Sequence, residues 1–139
     1  MTDATTGTTS RNGWTIGLWV AQIILALFFG SAAIMKLTTP IAALGQQMAW
    51  VNSSPAWLIT FIGIMEILGA LGMILPSLTR ILPSLTPLAA AGFSIIQILA
   101  MGVHISLGEY ATLPINVIAL ALALFVAWGR FRKAPISPH

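Results

Sequence analysis

Glu66 is the one acidic residue inside a long apolar segment, which makes it the first candidate for chemistry in this sequence. It lies nine residues from either end of the segment Trp57–Leu75. A helix of that length crosses a bilayer, so the carboxyl lies near the midplane. A charge at that depth costs about 3 kcal/mol, so such a side chain is usually neutral, paired or turned into a bundle. We expect Glu66 to face the bundle interior and to be largely neutral at pH 7.

Other polar side chains reach similar depths on neighbouring segments, and together they suggest a binding site. Gln97 lies at the level of Glu66, and a protonated Glu66 could donate to Gln97 or to a ligand oxygen. His104 would connect that site to water at the membrane surface, so Glu66 and His104 are predicted to be catalytic. The predicted ligand-binding residues are Gln22, Phe93, Gln97, Met101 and Asn116, and Lys36 and Glu109 are placed at the outer mouth.

Each of these residues also has a purely structural interpretation. Glu66 and Gln97 could form a hydrogen-bonded clasp between helices without any catalytic role. Lys36 lies near a helix end, where a lysine commonly extends its ammonium to the interface. Phe93 and Met101 could serve packing alone. The sequence leaves these alternatives open.

The composition defines the elements that must position these residues. Hydrophobic residues make up 58% of the chain and charged residues only 6%, against roughly 25% in soluble domains. The sequence therefore predicts an all-α, up-down-up-down, four-helix transmembrane bundle, with a short interfacial helix near 41–51 in the first outer loop. The predicted parts are a disordered tail (1–13), one transmembrane domain (14–129, with spans about 14–35, 57–75, 85–104 and 113–128) and a basic tail (130–139).

Basic residues are distributed unequally between the two ends of the predicted bundle. One end carries only Lys36, beside Glu109, and the other carries Arg11, Arg80, Arg130, Arg132 and Lys133. Lysine and arginine accumulate on the cytoplasmic side of membrane proteins. This predicts a protein of the bacterial cytoplasmic membrane with both termini in the cytoplasm. It also explains the net charge of +3 without nucleic acid as a partner.

Several chemistries are excluded or weakly supported. The chain has no cysteine, which excludes disulfide and thiolate chemistry within it. His104 is the one histidine in the predicted spans, so haem ligation by two histidines of this chain is not expected. Neither a metal-ligand pattern, a phosphate-binding loop nor a nucleophile elbow is present. We predict no metal and no covalently bound cofactor.

With these residues placed, the chain resembles the DoxX-like family of small four-helix membrane proteins over about residues 14–133. The resemblance rests on a G-x-x-E-x-x-G core at 63–69 and an H-x-x-x-G-E turn at 104–109. Leu107 stands where family members often carry arginine, which argues against anion binding at the outer mouth. The resemblance implies an oxidoreductase-associated membrane subunit linked to quinone or thiol redox systems. The family fold is also similar to that of sterol-isomerase-type and receptor-chaperone membrane proteins.

The leading functional hypothesis is a redox-associated subunit that binds a lipophilic, quinone-like molecule around Glu66. The mixture of polar and apolar side chains there suits an apolar ligand that carries a carbonyl. Two alternatives stay open: a non-catalytic assembly or chaperone-like subunit, and an isomerase that uses Glu66 as an acid. Whether the protein is an enzyme is therefore undecided. The predicted partners are the lipid bilayer and either another membrane protein or a second copy of the chain.

Overall fold

Four helices of the structure are long and apolar enough to cross a bilayer. This computed structural model describes the backbone of residues 2–138 and the side chains of residues 13–138. The helices are α1 (Thr2–Thr38), α2 (Ile41–Gln47), α3 (Ala56–Thr79), α4 (Leu85–Ser106) and α5 (Leu113–Trp128), and no strand occurs in that part of the chain. The four candidate spans are Gly13–Thr38, Ala56–Thr79, Leu85–Ser106 and Tyr110–Lys133.

The four long helices pack in a closed ring. Helix α1 contacts α3, α3 contacts α4, α4 contacts α5, and α5 returns to α1. Large apolar side chains cover the outside of the ring, among them Leu27, Leu99 and Ile118. A lipid environment requires this arrangement, because the hydrocarbon must meet apolar groups while the backbone is hydrogen-bonded within helices. The predicted all-α four-helix bundle is therefore confirmed.

The predicted helix in the first loop is present as α2, followed by a 3-10 turn at Ala49–Ser53. Leu44 of α2 and Val51 of the turn are buried against Ile59 of α3. The side-chain amide of Asn52 donates to the Gly45 carbonyl and holds the two pieces together. This loop therefore packs as a small cap over one end of the bundle.

Two helices are longer than the sequence predicts. The backbone is helical from Thr2, where composition predicts a disordered tail up to residue 13. Once a helix is nucleated, each further residue adds a hydrogen bond, so a packed span can extend into a polar segment. Helix α3 continues through Pro76 to Thr79 instead of ending at Leu75. A hydrogen bond from Thr86 of α4 compensates for the backbone N–H that this proline lacks.

A stacked aromatic pair fills the middle of the bundle. The rings of Phe29 and Phe93 lie 3.8 Å apart, with 12° between their planes, and both side chains are buried. Gly69 lies beneath the Phe93 ring, where a Cβ atom would collide with it. We call Phe29 and Phe93 the aromatic divider, because buried polar residues lie on either side of it.

Candidate functional site: two buried polar layers

On one side of the divider, Lys36 and Glu66 form a buried ion pair. The Lys36 Nζ atom lies 2.7 Å from Glu66 Oε1, and their side chains are only 8% and 5% exposed. A contact of this length is a charge-assisted hydrogen bond. Glu66 thus faces the interior as expected, but its partner is Lys36, which the sequence places at the outer mouth.

Gly63 makes this ion pair possible. It precedes Glu66 by three residues, so both lie on the face of α3 that meets α1. A Cβ atom at Gly63 would lie 3.0 Å from the Leu37 side chain and 3.4 Å from Lys36 Cβ. Because Gly63 has no side chain, the end of α1 can approach α3 closely at this position.

Gln97 of α4 and Asn116 of α5 are buried towards the same end of the bundle. The contact between Phe93 and Gly69 fixes the level of α4 relative to α3. Gln97 lies one turn beyond Phe93, and Glu66 lies about one turn beyond Gly69 in the same direction. Gln97 and Glu66 are therefore at one level. Gln97 Oε1 and Asn116 Nδ2 have no hydrogen-bond partner among the described side chains. We call Lys36, Glu66, Gln97 and Asn116 the lysine layer.

The expected hydrogen bond between Glu66 and Gln97 does not occur in the described part of the chain. Lys36 takes the place of Gln97, because an ammonium makes a stronger bond to a carboxylate than a neutral amide does. The flexible lysine stem also lets the ammonium reach inward from the end of α1. Gln97 is therefore not engaged by Glu66, and its Oε1 atom has no hydrogen-bond partner.

The remaining residues of the predicted site lie elsewhere. His104 Nδ1 is 3.3 Å from Glu109 Oε1, which forms a separate, partly exposed pair near the end of α4. Met101 is partly buried. Phe93 belongs to the aromatic divider and is in van der Waals contact with its neighbours. The structure therefore joins Lys36 to Glu66 and His104 to Glu109.

Gln22 lies on the other side of the divider, about 21 Å along α1 from Lys36 at 1.5 Å per residue. Its Nε2 atom donates to the Met73 carbonyl at 2.6 Å and to Ser77 Oγ at 3.2 Å. Its Oε1 atom accepts from Arg130 Nε at 2.7 Å. The prediction that Gln22 shares a site with Glu66 does not match this geometry, because Arg130 and Ser77 satisfy the amide at the opposite end.

The hydrogen-bond chain continues from Ser77 to a backbone carbonyl. Ser77 Oγ and Thr86 Oγ1 are 2.8 Å apart, and Thr86 Oγ1 donates to the Gly72 carbonyl at 2.8 Å. Pro76 has no N–H to offer the carbonyl four residues before it, which is that of Gly72. Thr86 supplies the missing donor, and this explains why α3 passes through a proline.

Arg130 begins this hydrogen-bond chain and is the residue that the sequence analysis missed. Its side chain is only 4% exposed although the sequence assigns it to a basic tail. Its Nη1 atom donates to the Ala134 carbonyl at 2.9 Å within a π-helical turn, and its guanidinium lies 5.8 Å from the Trp19 ring centroid. We call Gln22, Ser77, Thr86 and Arg130 the arginine layer.

One signal in the sequence could have indicated a buried arginine. Gln22 is the one amide in its half of the first span and needs a polar partner at that depth. Arg130 follows the last span directly, separated from Trp128 only by Gly129. A Cβ atom at Gly129 would collide with Leu18, so this glycine lets α1 approach the turn that carries Arg130.

A comparison with known protein families decides the family of this chain. The model of the DoxX-like family matches residues 20–126. The chain belongs to the DoxX-like family. No curated protein and no solved structure matches it.

The matched range of this DoxX-like protein contains the whole lysine layer and the His104–Glu109 pair. It ends four residues before Arg130, so the arginine layer is only partly inside it. Among the described residues, no cluster of three or more histidine or acidic side chains is arranged to hold a metal ion. The lysine layer offers one ion pair, a buried unpartnered acceptor on Gln97 and a buried unpartnered donor on Asn116.

Proposed function

We propose that this DoxX-like membrane protein binds a lipophilic, carbonyl-bearing molecule of the quinone class at the lysine layer, as a redox-associated subunit. The observation that supports this is the pair of buried, unpartnered amide atoms, Gln97 Oε1 and Asn116 Nδ2. A buried polar atom without a partner costs free energy, so native proteins retain few of them. A ligand that satisfies both atoms would explain why they are there.

A quinone fits these groups in both of its redox states. The oxidised ring has carbonyl oxygens, which could accept from Asn116 Nδ2 or from the Lys36 ammonium, which has three donors. The reduced ring has hydroxyl groups, which could donate to Gln97 Oε1. Reduction adds two electrons and two protons, and the Lys36–Glu66 pair is placed to relay the protons. The electrons would come from a redox partner protein.

The surroundings of the lysine layer suit a small apolar ring. The aromatic divider closes the layer on the side of the arginine layer, since Phe29 and Phe93 are buried and stacked. A ligand would therefore enter from the lysine end or between two helices from the lipid. His104 and Glu109 lie at that end and would link the site to water.

Binding of a short-chain benzoquinone to protein in lipid nanodiscs tests this proposal. We expect saturable binding that Gln97→Leu and Asn116→Leu each weaken about tenfold, the effect of losing one good buried hydrogen bond. Gln47→Leu makes the same chemical change at an exposed residue and is the matched control. An absence of saturable binding by the wild type, or equal affinity in all variants, would contradict the proposal.

One observation favours a second candidate, a non-catalytic assembly subunit. The Lys36–Glu66 pair is already well formed, so it could serve only to fix α1 against α3. Native mass spectrometry of protein purified in mild detergent separates the two functions. A retained lipophilic molecule supports the first, and a retained protein partner with no small molecule supports the second. An isomerase has less support, because Lys36 already occupies one of the two carboxyl oxygens of Glu66.

We further propose that both termini are cytoplasmic and that the lysine layer is nearer the outer surface. The unequal distribution of basic residues supports this orientation. Because the chain has no cysteine, single cysteines at Ser53 and Arg80 can be labelled without background. We expect a membrane-impermeant thiol reagent to label them from opposite sides. Labelling of both from one side would overturn the topology.

A further inference from the structure

Arg130 carries a buried charge that the hydrogen bonds around it do not neutralise. Its Nε atom donates to Gln22 and its Nη1 atom to a carbonyl, both neutral groups, and its Nη2 atom has no partner. Among the described residues, Glu66 is paired with Lys36 and Glu109 lies beside His104, so neither carboxylate faces Arg130. A buried cation without a counter-charge is unfavourable, which indicates that an anion from outside the described chain completes the site.

Two grooves adjoin Arg130. One has a volume of about 390 Å³, and its lining includes Arg130, Pro87 of α4 and Ser84, which directly precedes that helix. The other has a volume of about 420 Å³, and its lining includes Arg130, Lys133, Trp19 and the hydroxyl groups of Thr15 and Ser77. The second groove thus combines two cations with three hydroxyl side chains, those of Thr15, Ser77 and Ser137, and none of the described residues that line it is acidic.

We propose that Arg130 and Lys133 bind a phosphate group in the second groove. The unpartnered Nη2 atom of the guanidinium carries two N–H donors, and a charge-assisted hydrogen bond to a phosphate oxygen would use them. Lys133 adds a second positive charge, and its Nζ atom lies 5.6 Å from the Trp14 ring and 5.9 Å from the Trp128 ring. These aromatic contacts keep the ammonium at the rim of the groove, next to the site of Arg130.

The position of the groove fits the phosphate of a membrane lipid. Arg130 follows directly after α5, so it lies where the last membrane-crossing helix ends. Trp19 lies beside Arg130, Trp14 and Trp128 lie beside Lys133, and tryptophan is enriched at the level of lipid headgroups. An anionic phospholipid and free inorganic phosphate offer the same group, and the experiment below distinguishes them.

The chain after Arg130 covers the site. Pro135 and Ile136 line both grooves, and the segment is held by hydrogen bonds from Arg130 to the Ala134 carbonyl and from Arg80 Nε to the Ser137 carbonyl at 2.8 Å. The unpaired Nη2 atom is itself buried. A small outward shift of the segment would open Nη2 to the groove and to a phosphate oxygen.

Lipid binding by the full-length protein tests this proposal. The protein in a neutral detergent is titrated with phosphatidylglycerol, with phosphatidylcholine as the neutral comparison, and bound lipid is counted by native mass spectrometry. We expect one phosphatidylglycerol per chain. Arg130→Gln should weaken this binding about tenfold and Lys133→Gln about fivefold. Arg132→Gln is the matched control, because it removes the same charge from an exposed neighbour.

In the second part of the experiment, inorganic phosphate is added in excess. If it displaces the lipid, or stabilises wild type but not Lys133→Gln against heat, free phosphate also occupies the site. If it does neither while the lipid binds, the lipid is the ligand. The proposal is overturned if both lipids bind equally and phosphate has no effect. It is also overturned if Arg132→Gln and Lys133→Gln lose equal amounts of phosphatidylglycerol binding. The latter comparison remains decisive if Arg130→Gln does not fold.

Discussion

At the lysine layer a buried ammonium lies 2.7 Å from a carboxylate, whereas at the arginine layer a buried guanidinium is held by an amide and a carbonyl oxygen. The first arrangement neutralises charge within the protein but leaves two amide atoms unpaired. The second uses neutral acceptors throughout and leaves one guanidinium nitrogen unpaired. The same bundle therefore buries its two cations with different kinds of partner.

The difference shows how many helices the hydrogen bonds of each layer join. In the arginine layer the side chains of Gln22, Ser77 and Thr86 are hydrogen-bonded one to the next. Thr86 then donates to the Gly72 carbonyl, which Pro76 leaves without its helical donor. That chain joins α1, α3 and α4. In the lysine layer the ion pair joins only α1 and α3, while one buried polar atom each on α4 and α5 has no hydrogen-bond partner.

The largest effect is expected from Glu66→Leu, which leaves Lys36 buried without its counter-charge. Breaking one side of a buried pair is strongly unfavourable, and we expect a loss of about 3 kcal/mol in the free energy of unfolding in mixed micelles. Glu66→Gln keeps an oxygen for Lys36 and should lose less.

The double variant Lys36→Met, Glu66→Leu is the control for this effect. Replacing both charges with apolar side chains removes the unpaired cation, so most of the lost stability should return. If the double variant is as unstable as Glu66→Leu alone, the loss comes from packing, and the ion pair is not what joins α1 to α3.

Thr86→Val tests the arginine layer with little change of shape. It removes the donor to the Gly72 carbonyl and the bond to Ser77, and we expect a loss of about 1–2 kcal/mol in the free energy of unfolding. The sequence L-P-S-L-T occurs twice, at 75–79 and at 82–86. Thr79→Val is the matched control, since Thr79 ends the first copy as Thr86 ends the second, but is exposed.

Pro76→Ala sharpens this prediction, because alanine restores the N–H that the Gly72 carbonyl lacks. In that background Thr86→Val should have a smaller effect than in the wild type. An effect of the same size in both backgrounds would mean that Thr86 does not compensate for the proline.

Gly63→Ala should disturb the lysine layer by about 1 kcal/mol, since the added methyl group presses on Leu37 and Lys36. Gly102→Ala is the control on an exposed face of α4, where no heavy atom lies within 4 Å, and it should be neutral or slightly stabilising. Unfolding in mixed micelles measures both. Equal behaviour of the two variants would show that close approach of α1 does not depend on Gly63.

The smallest effect on stability is expected from His104→Ala. Its pair with Glu109 is partly exposed, so we expect a loss below about 1 kcal/mol. If His104 links the lysine layer to water, retention of the benzoquinone between about pH 5 and 8 should change less with pH in this variant than in wild type. Identical pH profiles would remove His104 from any proton path.

The sequence by itself determined the architecture and one half of the main ion pair. Long apolar segments must form helices in a bilayer because no water is there to satisfy the backbone, so the four spans follow from hydropathy alone. The position of Glu66 at the centre of its segment likewise required a buried carboxyl. The seven-residue spacing of Gln22, Phe29 and Lys36 also placed these residues on one face of α1.

Only the tertiary structure decided which polar groups are partners. Lys36 and Glu66 are 30 residues apart, and Gln22 and Arg130 are 108 apart, so no local pattern couples them. Their pairing depends on how far each helix slides along its neighbours, which is set by contacts such as Phe93 on Gly69 and α1 against Gly63. Long side chains then form hydrogen bonds with the polar atoms that lie within their reach. As a result, the Lys36 ammonium lies inward of the mouth where the sequence places it. Arg130 is buried, although composition assigns it to a basic tail.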